Sequence, residues 1–571
     1  MSRRLYFSMT IGGVLAALSV IALTALTPAQ GLGPDEELSV IVTLADQVSP
    51  SDFAGRDMPR GLLRAQLITA LKAKAAATQG PLVAFLNGRG ASRVVSLWLI
   101  NGLAVTAPAA VIQALAQFPE IESIRPDAQI LASPTIQATT AAPEWNLAMV
   151  RAPELWAAGH TGSGIVVANL DTGVDVNHQD LASRWRGGTN SWFDPNLQHA
   201  TPYDRTGHGT QAMGLLVGGS AGGTAIGMAP DAQWIAVKIF NDAGAASASV
   251  IHQGFQWVLD PDGNPATDDA ADVVSNSWGF EQLTNTCYLE FEPDLEALKA
   301  AGIAVVFSAG NVGPYGSTSV SPANNPQGYA VGAVDGAATV ADFSSRGPSA
   351  CDGSVYPEVV APGVSVKTSD LTFGGTFPDS YMWVSGTSFA APHVAGAMAL
   401  LASAHPDATV ADLEQALTET AVDLGPAGPD HDTGYGLIDL VAAETWLANR
   451  PIPTCTDADG DGFFAQANCG TPVDCNDGDP GIHPGACDIK ADGIDQDCDG
   501  VDRLKGKACP VSGGATATPT PTTAPPPTPT PTSGTGGSEG SGKTCSDGKD
   551  NDGDGLVDCA DPGCAGNRSC R

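Results

Sequence analysis

Between Trp145 and Arg450 the chain alternates short apolar runs of strand length with stretches of helical periodicity, and that alternation admits few folds. Apolar runs without a polar face belong to strands buried on both sides. A parallel sheet acquires such burial because its crossover connections lay helices over both faces. The candidate strands are Ile165–Leu170, Trp234–Ile239, Asp272–Asn276 and Ile303–Ser308. The expected architecture is therefore α/β, a parallel sheet wrapped by helices. In open sheets of this kind reactive groups gather beyond the carboxyl ends of the strands, which singles out Asp171, Ser277 and Asn311. A composition of 43% hydrophobic and only 6% aromatic residues, rich in glycine and alanine, suits a packed core and not disorder.

At 571 residues the chain exceeds what one ordinary core requires. Upstream of the sheet, Leu38–Ala45 reads as a strand, Gly61–Ala77 as a helix and Arg93–Ile100 as a strand closed by an Asn101-Gly102 turn. A helix over Pro108–Phe118 and a strand near Ile121–Ile124 complete a separate α+β module. At the N-terminus Arg3 and Arg4 precede an apolar run from Ile11 to Leu26 and then Thr27-Pro28-Ala29, the pattern of an export signal. Ser2-Arg3-Arg4-Leu5-Tyr6-Phe7 also resembles a twin-arginine signal, so the export route stays open. Because the apolar run is near the ~18 residues that span a bilayer, an uncleaved anchor is the alternative; elsewhere the sequence offers no span. The formal charge of −35 repels phosphate backbones and anionic bilayers, which argues against nucleic acid and membrane surfaces as partners.

Beyond Arg450 regular periodicity gives way to Asp, Gly and Cys, with ten of the twelve cysteines in that region and only Cys287 and Cys351 before it. In an exported chain without zinc-site spacing these favour disulfides over thiolate ligands; their connectivity, including a Cys287–Cys351 pair, is open. Asp457, Asp459 and Asp461 before Gly462 alternate as ligands do in a calcium loop of EF-hand type, although Asn468 stands where a bidentate Glu closes such a loop. Asp550, Asp552 and Asp554 repeat the spacing, with Asp561 at the closing position. The alternative is that these carboxylates only solvate a disulfide-stapled spacer. A Pro/Thr/Gly-rich linker, residues 511–543, separates an acidic module over 451–510 from a second over 544–571.

Hydrolysing a peptide bond by acyl transfer needs a nucleophile, a base, a carboxylate that orients the base and donors for the developing oxyanion. Asp171 ends a buried strand in Asp171-Thr172-Gly173. His208 lies in Gly207-His208-Gly209-Thr210, and Ser388 opens an apolar helix within Ser385-Gly386-Thr387-Ser388-Phe389-Ala390-Ala391-Pro392-His393. A hydroxyl at a helix start gains from the dipole and from free N–H groups. Asn311, closing Ser308-Ala309-Gly310-Asn311, is an amide able to donate beside the Ser388 N–H. Each piece alone is weak, but their order decides.

The order Asp, His, Asn, Ser and the run Gly386-Thr387-Ser388-Phe389-Ala390-Ala391-Pro392-His393 resemble the subtilisin-like serine proteases across Trp145 to about Leu447. Phe343-Ser344-Ser345-Arg346-Gly347-Pro348 and Ala361-Pro362-Gly363 resemble the bacillopeptidase F-like branch. The resemblance implies a serine endopeptidase acting on protein or peptide substrates, with Asp171, His208 and Ser388 as triad and Asn311 as oxyanion donor. It also implies Ser277, Trp278 and Gly279 as a substrate-pairing edge and Ser308, Ala309 and Gly310 as the opposite wall. Neither wall carries a carboxylate, so an apolar or uncharged residue before the cut is expected, with Val320 narrowing the pocket floor; His393 reads as a core histidine. The module over 31–140, with Asn101-Gly102-Leu103-Ala104-Val105 and Phe118-Pro119-Glu120-Ile121, is similar to the family's inhibitory propeptide. That implies a ferredoxin-like fold, a signal over 1–30, a catalytic domain over 145–450 and a secreted enzyme matured by autocatalytic cutting between Ile130 and Glu144.

Two departures stand out. Gln211 replaces the second histidine of the family's His-Gly-Thr-His, and the loop Ser220–Gly227 lacks the Asn-rich ligands of the family's strong calcium site, though Asp180 matches one ligand. Calcium is accordingly expected in the tail and is doubtful in the catalytic domain. Asp474-Cys475-Asn476-Asp477-Gly478-Asp479 and Asp492-Gly493-Ile494-Asp495-Gln496-Asp497-Cys498-Asp499-Gly500 resemble an Asp- and Cys-rich metal-binding repeat of secreted bacterial proteins, which adds Asp495, Asp497 and Asp499 as candidate ligands. The rival readings are an adhesive pseudoenzyme, against which all four catalytic groups stand, and a metallohydrolase, for which no His-Glu-x-x-His is present.

Overall fold

The computed structural model describes residues 35–53, 59–137, 144–450, 456–464 and 474–484 together with residues 486, 496 and 498. The first module comprises β1 (Glu37–Leu44), α1 (Arg60–Thr78), α2 (Gly80–Asn87), β2 (Arg93–Leu97), β3 (Gly102–Pro108), α3 (Ala109–Leu115) and β4 (Ile121–Pro126). Its strands form an antiparallel sheet in the order β2-β3-β1-β4, the split arrangement of a ferredoxin-like unit. The expected strand over Arg93–Ile100 ends at Leu97, because Trp98–Ile100 turns as a 3-10 helix and Asn101 takes a left-handed φ of 37°. The module has an apolar core of its own, built on Val40, Val42, Leu82, Leu86, Leu103 and Val105.

From Ile130 the chain runs along the next domain. Strand β5 (Gln129–Leu131) pairs antiparallel with β10 (Ala245–Ser247), and β6 (Ile136–Gln137) pairs with β16 (Tyr381–Ser385). After α4 (Trp145–Met149) and α5 (Ala152–Ala157) come β7 (Val166–Asp171), β8 (Trp192–Phe193), α6 (His208–Val217), β9 (Gln233–Lys238), α7 (Ala248–Leu259), β11 (Val273–Asn276), α8 (Glu292–Ala300), β12 (Ala304–Ser308), β13 (Ala330–Val334) and β14 (Val359–Pro362). The hairpin β15 (Val366–Ser369)–β16 then leads into α9 (Thr387–Ala404), α10 (Val410–Glu419) and α11 (Leu440–Asn449).

Seven parallel strands run in the order β14-β13-β12-β11-β7-β9-β8, so the expected parallel sheet wrapped by helices is what forms. One face packs on α6, α9, α10 and α11, and the other on α7 and α8. Helix α9 is buried nearly throughout, and its alanines and Gly396 let neighbours approach: a Cβ on Gly396 would sit 2.4 Å from Met228 Cβ. It is apolar and long enough to cross a bilayer, yet it is the core helix of this domain.

The first module docks on the α7–α8 face. Leu67, Ile68 and Leu71 of α1, with Leu99 and Ile100, enter the same apolar cluster as Phe255, Phe291 and Leu298. Each side chain of that size is worth about 1.5–3 kcal/mol when fully buried. Arg64, buried on α1, reaches across to Asp268, Asp272 and the Ala271 and Ala301 carbonyls at 3.0–3.1 Å.

Candidate active site

Asp171 is the last residue of β7 and His208 the first of α6. The sheet presents both at its carboxyl edge, and Gly173 and Gly209 make the approach possible: a Cβ on Gly173 would lie 1.9 Å from the Tyr203 carbonyl oxygen and one on Gly209 2.2 Å from that of Gly173. His208 Nδ1 lies 2.8 and 3.0 Å from the two Asp171 carboxylate oxygens, in a buried setting. Burial alone would lower the imidazole's pKa, but the Asp171 charge and hydrogen bond, with Asp204 behind them, raise it above its ordinary value. Holding Nδ1 on a carboxylate leaves Nε2 as the acceptor of the neutral ring.

Asp204 ties these elements together. Its carboxylate accepts from Thr172 Oγ1 (3.0 Å), from the backbone N–H groups of Thr206, Gly207 and Thr210 (3.0 Å each) and from Thr210 Oγ1 (2.8 Å). The turn after Asp171 and the start of the His208 helix thus hang on one buried anion that caps free N–H groups.

Ser388 is the second residue of α9, after Gly386 at φ 149°, a conformation that glycine supplies without strain. Its Oγ donates to the Ser277 carbonyl at 3.2 Å while Ser277 Oγ donates to the Ser388 carbonyl at 2.7 Å, which locks the helix start to the end of β11. Asn311 follows β12; its Oδ1 accepts from Thr387 N (2.9 Å) and Oγ1 (3.0 Å), and its Nδ2 donates to Glu281 Oε1 at 3.1 Å. Glu281 also accepts the Asn311 backbone N–H at 2.9 Å; sequence reading passed over this residue, whose only signal is that it follows Gly279-Phe280 closely.

The expected walls are placed unequally. Ser308 and Ala309 are buried at the end of β12. Trp278 faces inward against Phe291 and Phe307, so of its triplet the side chain belongs to the core and only the backbone is left for a substrate edge. Val320 sits between the walls: Cβ atoms on Gly279 and Gly310 would each fall 2.7 Å from its methyl groups. His393 donates from Nδ1 to the Phe389 carbonyl (2.7 Å) and accepts at Nε2 from the Asn146 amide Nδ2 (2.8 Å); burial pushes its pKa down to about 4, so it is a neutral core residue. Gln211, in place of a second histidine, accepts from Thr135 and donates to Asp370. Residues Leu131–Thr135 line a cleft together with Thr206, His208, Ala243 and Gly244, so the segment that leaves the first module shares that cleft with His208.

Asp180 is occupied by protein donors, the Tyr381 hydroxyl at 2.5 Å and the Ala221 N–H at 2.7 Å. In the tail, Asp457, Asp459 and Asp461 accept local backbone N–H groups, and the structure brings Asp474 and Asp477 to them from the next segment. Ligand oxygens of Asp459, Asp461 and Asp474 lie within 4.8 Å of one another, and the Oδ2 atom of each is buried without a hydrogen-bond partner. Cys475 is bonded to Cys498, and Cys287 to Cys351, so among the described residues no thiolate competes there and the donors fit a hard cation. Asp495, Asp497, Asp499, Asp550, Asp552, Asp554 and Asp561 lie outside the described residues, as does the signal.

Residues 162–436 match the model of the Subtilase family, and residues 474–502 and 541–558 match a "Putative metal-binding motif". The chain is 37% identical over 423 residues to Bacillopeptidase F of Bacillus subtilis (strain 168), covering 67% of this chain but 29% of that protein. It is 36% identical over 302 residues to Subtilisin of Bacillus pumilus, covering 52% of this chain and 98% of that protein. Fervidolysin of Fervidobacterium pennivorans is 33% identical over 331 residues, covering 53% of this chain and 43% of that protein. With a relative matched at 36% identity over 98% of its length, this protein belongs to the subtilase family of serine-type endopeptidases.

Proposed function

We propose that the chain is the precursor of a secreted endopeptidase in which Ser388 attacks the scissile carbonyl, His208 takes its proton and Asp171 holds the imidazole. The observation that carries this is the His208 Nδ1 contact to both Asp171 oxygens, which fixes the tautomer that leaves Nε2 free to accept. For attack, Ser388 Oγ exchanges its bond to the Ser277 carbonyl for one to His208 Nε2. The Ser388 backbone N–H and the Asn311 amide receive the oxyanion, with Glu281 and Thr387 holding that amide in orientation. As the intermediate collapses, His208 gives that proton to the leaving amine and the peptide bond breaks; water then hydrolyses the acyl-enzyme with the neutral His208 as base again, which returns the proton to Ser388 Oγ. Ser277, Trp278 and Gly279 offer backbone to a substrate strand opposite Ser308, Ala309 and Gly310, and Val320 between them favours uncharged residues of moderate size before the cut.

Residues 31–140 act in this reading as an inhibitory propeptide. What supports it is the passage of Leu131–Thr135 through the cleft at His208, continuous with a module docked by Arg64 and an apolar face. Cutting falls between Ile130 and Glu144. The tail binds calcium through oxygen-only ligand sets, and no step of the chemistry runs through it. The test is Ser388→Ala in the full chain: casein cleavage falls by at least about 10⁴-fold, and the mass of the purified protein retains residues 31–140, whereas wild type loses them. Casein cut by the pure variant at the wild-type rate refutes the triad; a variant that matures normally alone refutes autocatalysis. The product ends from wild type read the preference, and a strict requirement for Lys or Arg would contradict the pocket assignment.

A further inference from the structure

Helix α7 ends at Asp260, and the loop Asp260-Pro261-Asp262-Gly263-Asn264-Pro265-Ala266-Thr267-Asp268-Asp269 leads towards β11. Asp260, Asp262 and Asp269 each bring a carboxylate oxygen to within 4.8 Å of the others. Asp260 is 6% exposed and Asp269 9%, and one oxygen of each, Oδ1, is buried without any hydrogen-bond partner. Two carboxylates are thus desolvated beside a third with ligand capacity left over, an arrangement that a protein interior penalises unless a cation offsets it.

A cation is present, and it comes from the first module. Lys72 of α1 places its ammonium on Asp260 Oδ2 and 2.9 Å from the Gly263 carbonyl oxygen, with the Trp98 ring 5.2 Å away. The adjoining Asp268 and Asp272 are likewise met by Arg64 and Arg60 of the same helix. Within the catalytic domain itself, Arg186 donates to the backbone carbonyl of Asp269 and its charge acts on that carboxylate from nearby without a hydrogen bond to it, while Asn190 donates to Asp269 Oδ2. When residues 31–140 leave, these aspartates lose every cation that α1 supplies.

We propose that this loop is a divalent-cation site of the mature enzyme, filled by the Lys72 ammonium in the precursor and by calcium afterwards; the exchange rests on the propeptide reading above, the site itself does not. The ligands are carboxylate and carbonyl oxygens on a loop, the set that calcium takes with 6–8 flexible ligands at roughly 2.3–2.6 Å and that magnesium, with its strict octahedron, accepts poorly. The position is distinct from the tail motif and from Asp180. Because ammonium and calcium use the same oxygens, the coupling is reciprocal: calcium weakens the hold of the cut module, and the module excludes calcium.

The experiment counts bound calcium by equilibrium dialysis against Ca²⁺ alone. The Ser388→Ala precursor is compared with Ser388→Ala/Lys72→Met, and matured wild type with matured Asp262→Asn. Lys72 is partly exposed and Asp262 is exposed, so both substitutions leave the core untouched. The Lys72→Met precursor is expected to bind about one equivalent more than its parent at roughly 1 mM calcium, and matured Asp262→Asn about one less than matured wild type. Equal stoichiometry in both pairs overturns the site. A gain in the Lys72→Met precursor with no loss in matured Asp262→Asn overturns the exchange on maturation. Should mass analysis show that wild type keeps residues 31–140, the propeptide reading has failed, and the precursor pair alone still decides the site.

Discussion

Asp204 in the catalytic domain and Asp474 in the tail are both buried, but their oxygens are treated differently. Asp204 is surrounded by protein donors that belong to fixed elements, the Thr172 turn and the first turn of the His208 helix. Among the described residues Asp474 accepts one N–H, from Asn476, and its second oxygen is buried without a partner. Asp175 and Asp194 follow the first pattern, bonded to Thr372 and to the 196–199 loop respectively; Asp459 and Asp461 follow the second. A carboxylate saturated by the protein sets positions and needs no ion. A carboxylate left short of donors is a request for one.

The largest effect that tests this contrast is at Asp204. Removing the anion strands several N–H groups and hydroxyls at a helix start, each costing about 1–3 kcal/mol when buried without a partner. Asp204→Ala should therefore lose about 3 kcal/mol of stability by denaturant titration and, by loosening His208 against Asp171, about 10²-fold in kcat/KM on a peptide substrate. Asp204→Asn should recover part of both. Because Asp204 helps raise the His208 pKa, either variant should also extend activity to lower pH, which a purely structural role would not do. Activity within twofold of wild type with an unmoved acid limb would show that Asp204 only solvates its turn.

Much of the sheet was legible because its strands are short apolar runs that end where chemistry begins. Ile165–Leu170 and Trp234–Ile239 are displaced by one residue at each end from β7 and β9, and Asp272–Asn276 and Ile303–Ser308 start one residue before β11 and β12. Strands β8, β13 and β14 were not legible: β8 has two residues, β13 is a short run of small residues broken by Gly332, and β14 ends in Pro362. Helix α2 hid behind Gly80-Pro81, which reads as a breaker although proline is tolerated in a first helical turn. Asp171, His208, Ser388 and Asn311 stood out because each follows a strand or opens a helix. Asp204, Glu281 and the Asp260–Lys72 contact did not, since a carboxylate in a polar loop looks alike in sequence whether it meets solvent or a partner far along the chain.

A third treatment of buried carboxylates, between the other two, is neutralisation by a titratable cation. His252 on α7 holds Asp294 Oδ2 at 2.8 Å and Glu290 Oε1 at 3.2 Å, with Arg125 of β4 and the Tyr288 hydroxyl on the other Glu290 oxygen. Burial works against the imidazolium, but the two carboxylates outweigh it and raise the pKa to about 9. A histidine raised above its unfolded value of about 6.5 stabilises fully below that value and loses the contribution as pH rises through about 9, on the order of 3 kcal/mol in all. The precursor's melting temperature, measured in Ser388→Ala to prevent cutting, should therefore fall between pH ~6.5 and ~9. His252→Gln should start lower and flatten that slope. A slope unchanged by the substitution would place the titration elsewhere.

The smallest expected effect is in the tail, and it is the sharpest separation of the two kinds of carboxylate. The loop beginning at Asp457 has Asn468 where a calcium loop is closed by a bidentate acid, and the structure supplies Asp474 to the group from the following segment. Its backbone N–H is bonded to the Phe464 carbonyl at 2.8 Å, which fixes Asp474 beside the loop before any ion arrives. Crowding has a second consequence: desolvation and the neighbouring Asp461, Asp474 and Asp457 charges hold the Asp459 carboxyl above its ordinary range, so a cation should expel a proton in weak acid. Asp474→Asn keeps the shape and removes one anionic ligand. In full-length protein carrying Ser388→Ala, calcorimetric titration should show about a tenfold weaker calcium site, roughly 1.4 kcal/mol, from the ~0.1–1 mM class of extracellular modules. The same substitution with Ser388 intact should leave kcat/KM unchanged, in contrast to Asp204→Ala. Unaltered calcium affinity would mean that Asp474 is no ligand and that its buried oxygen has another partner.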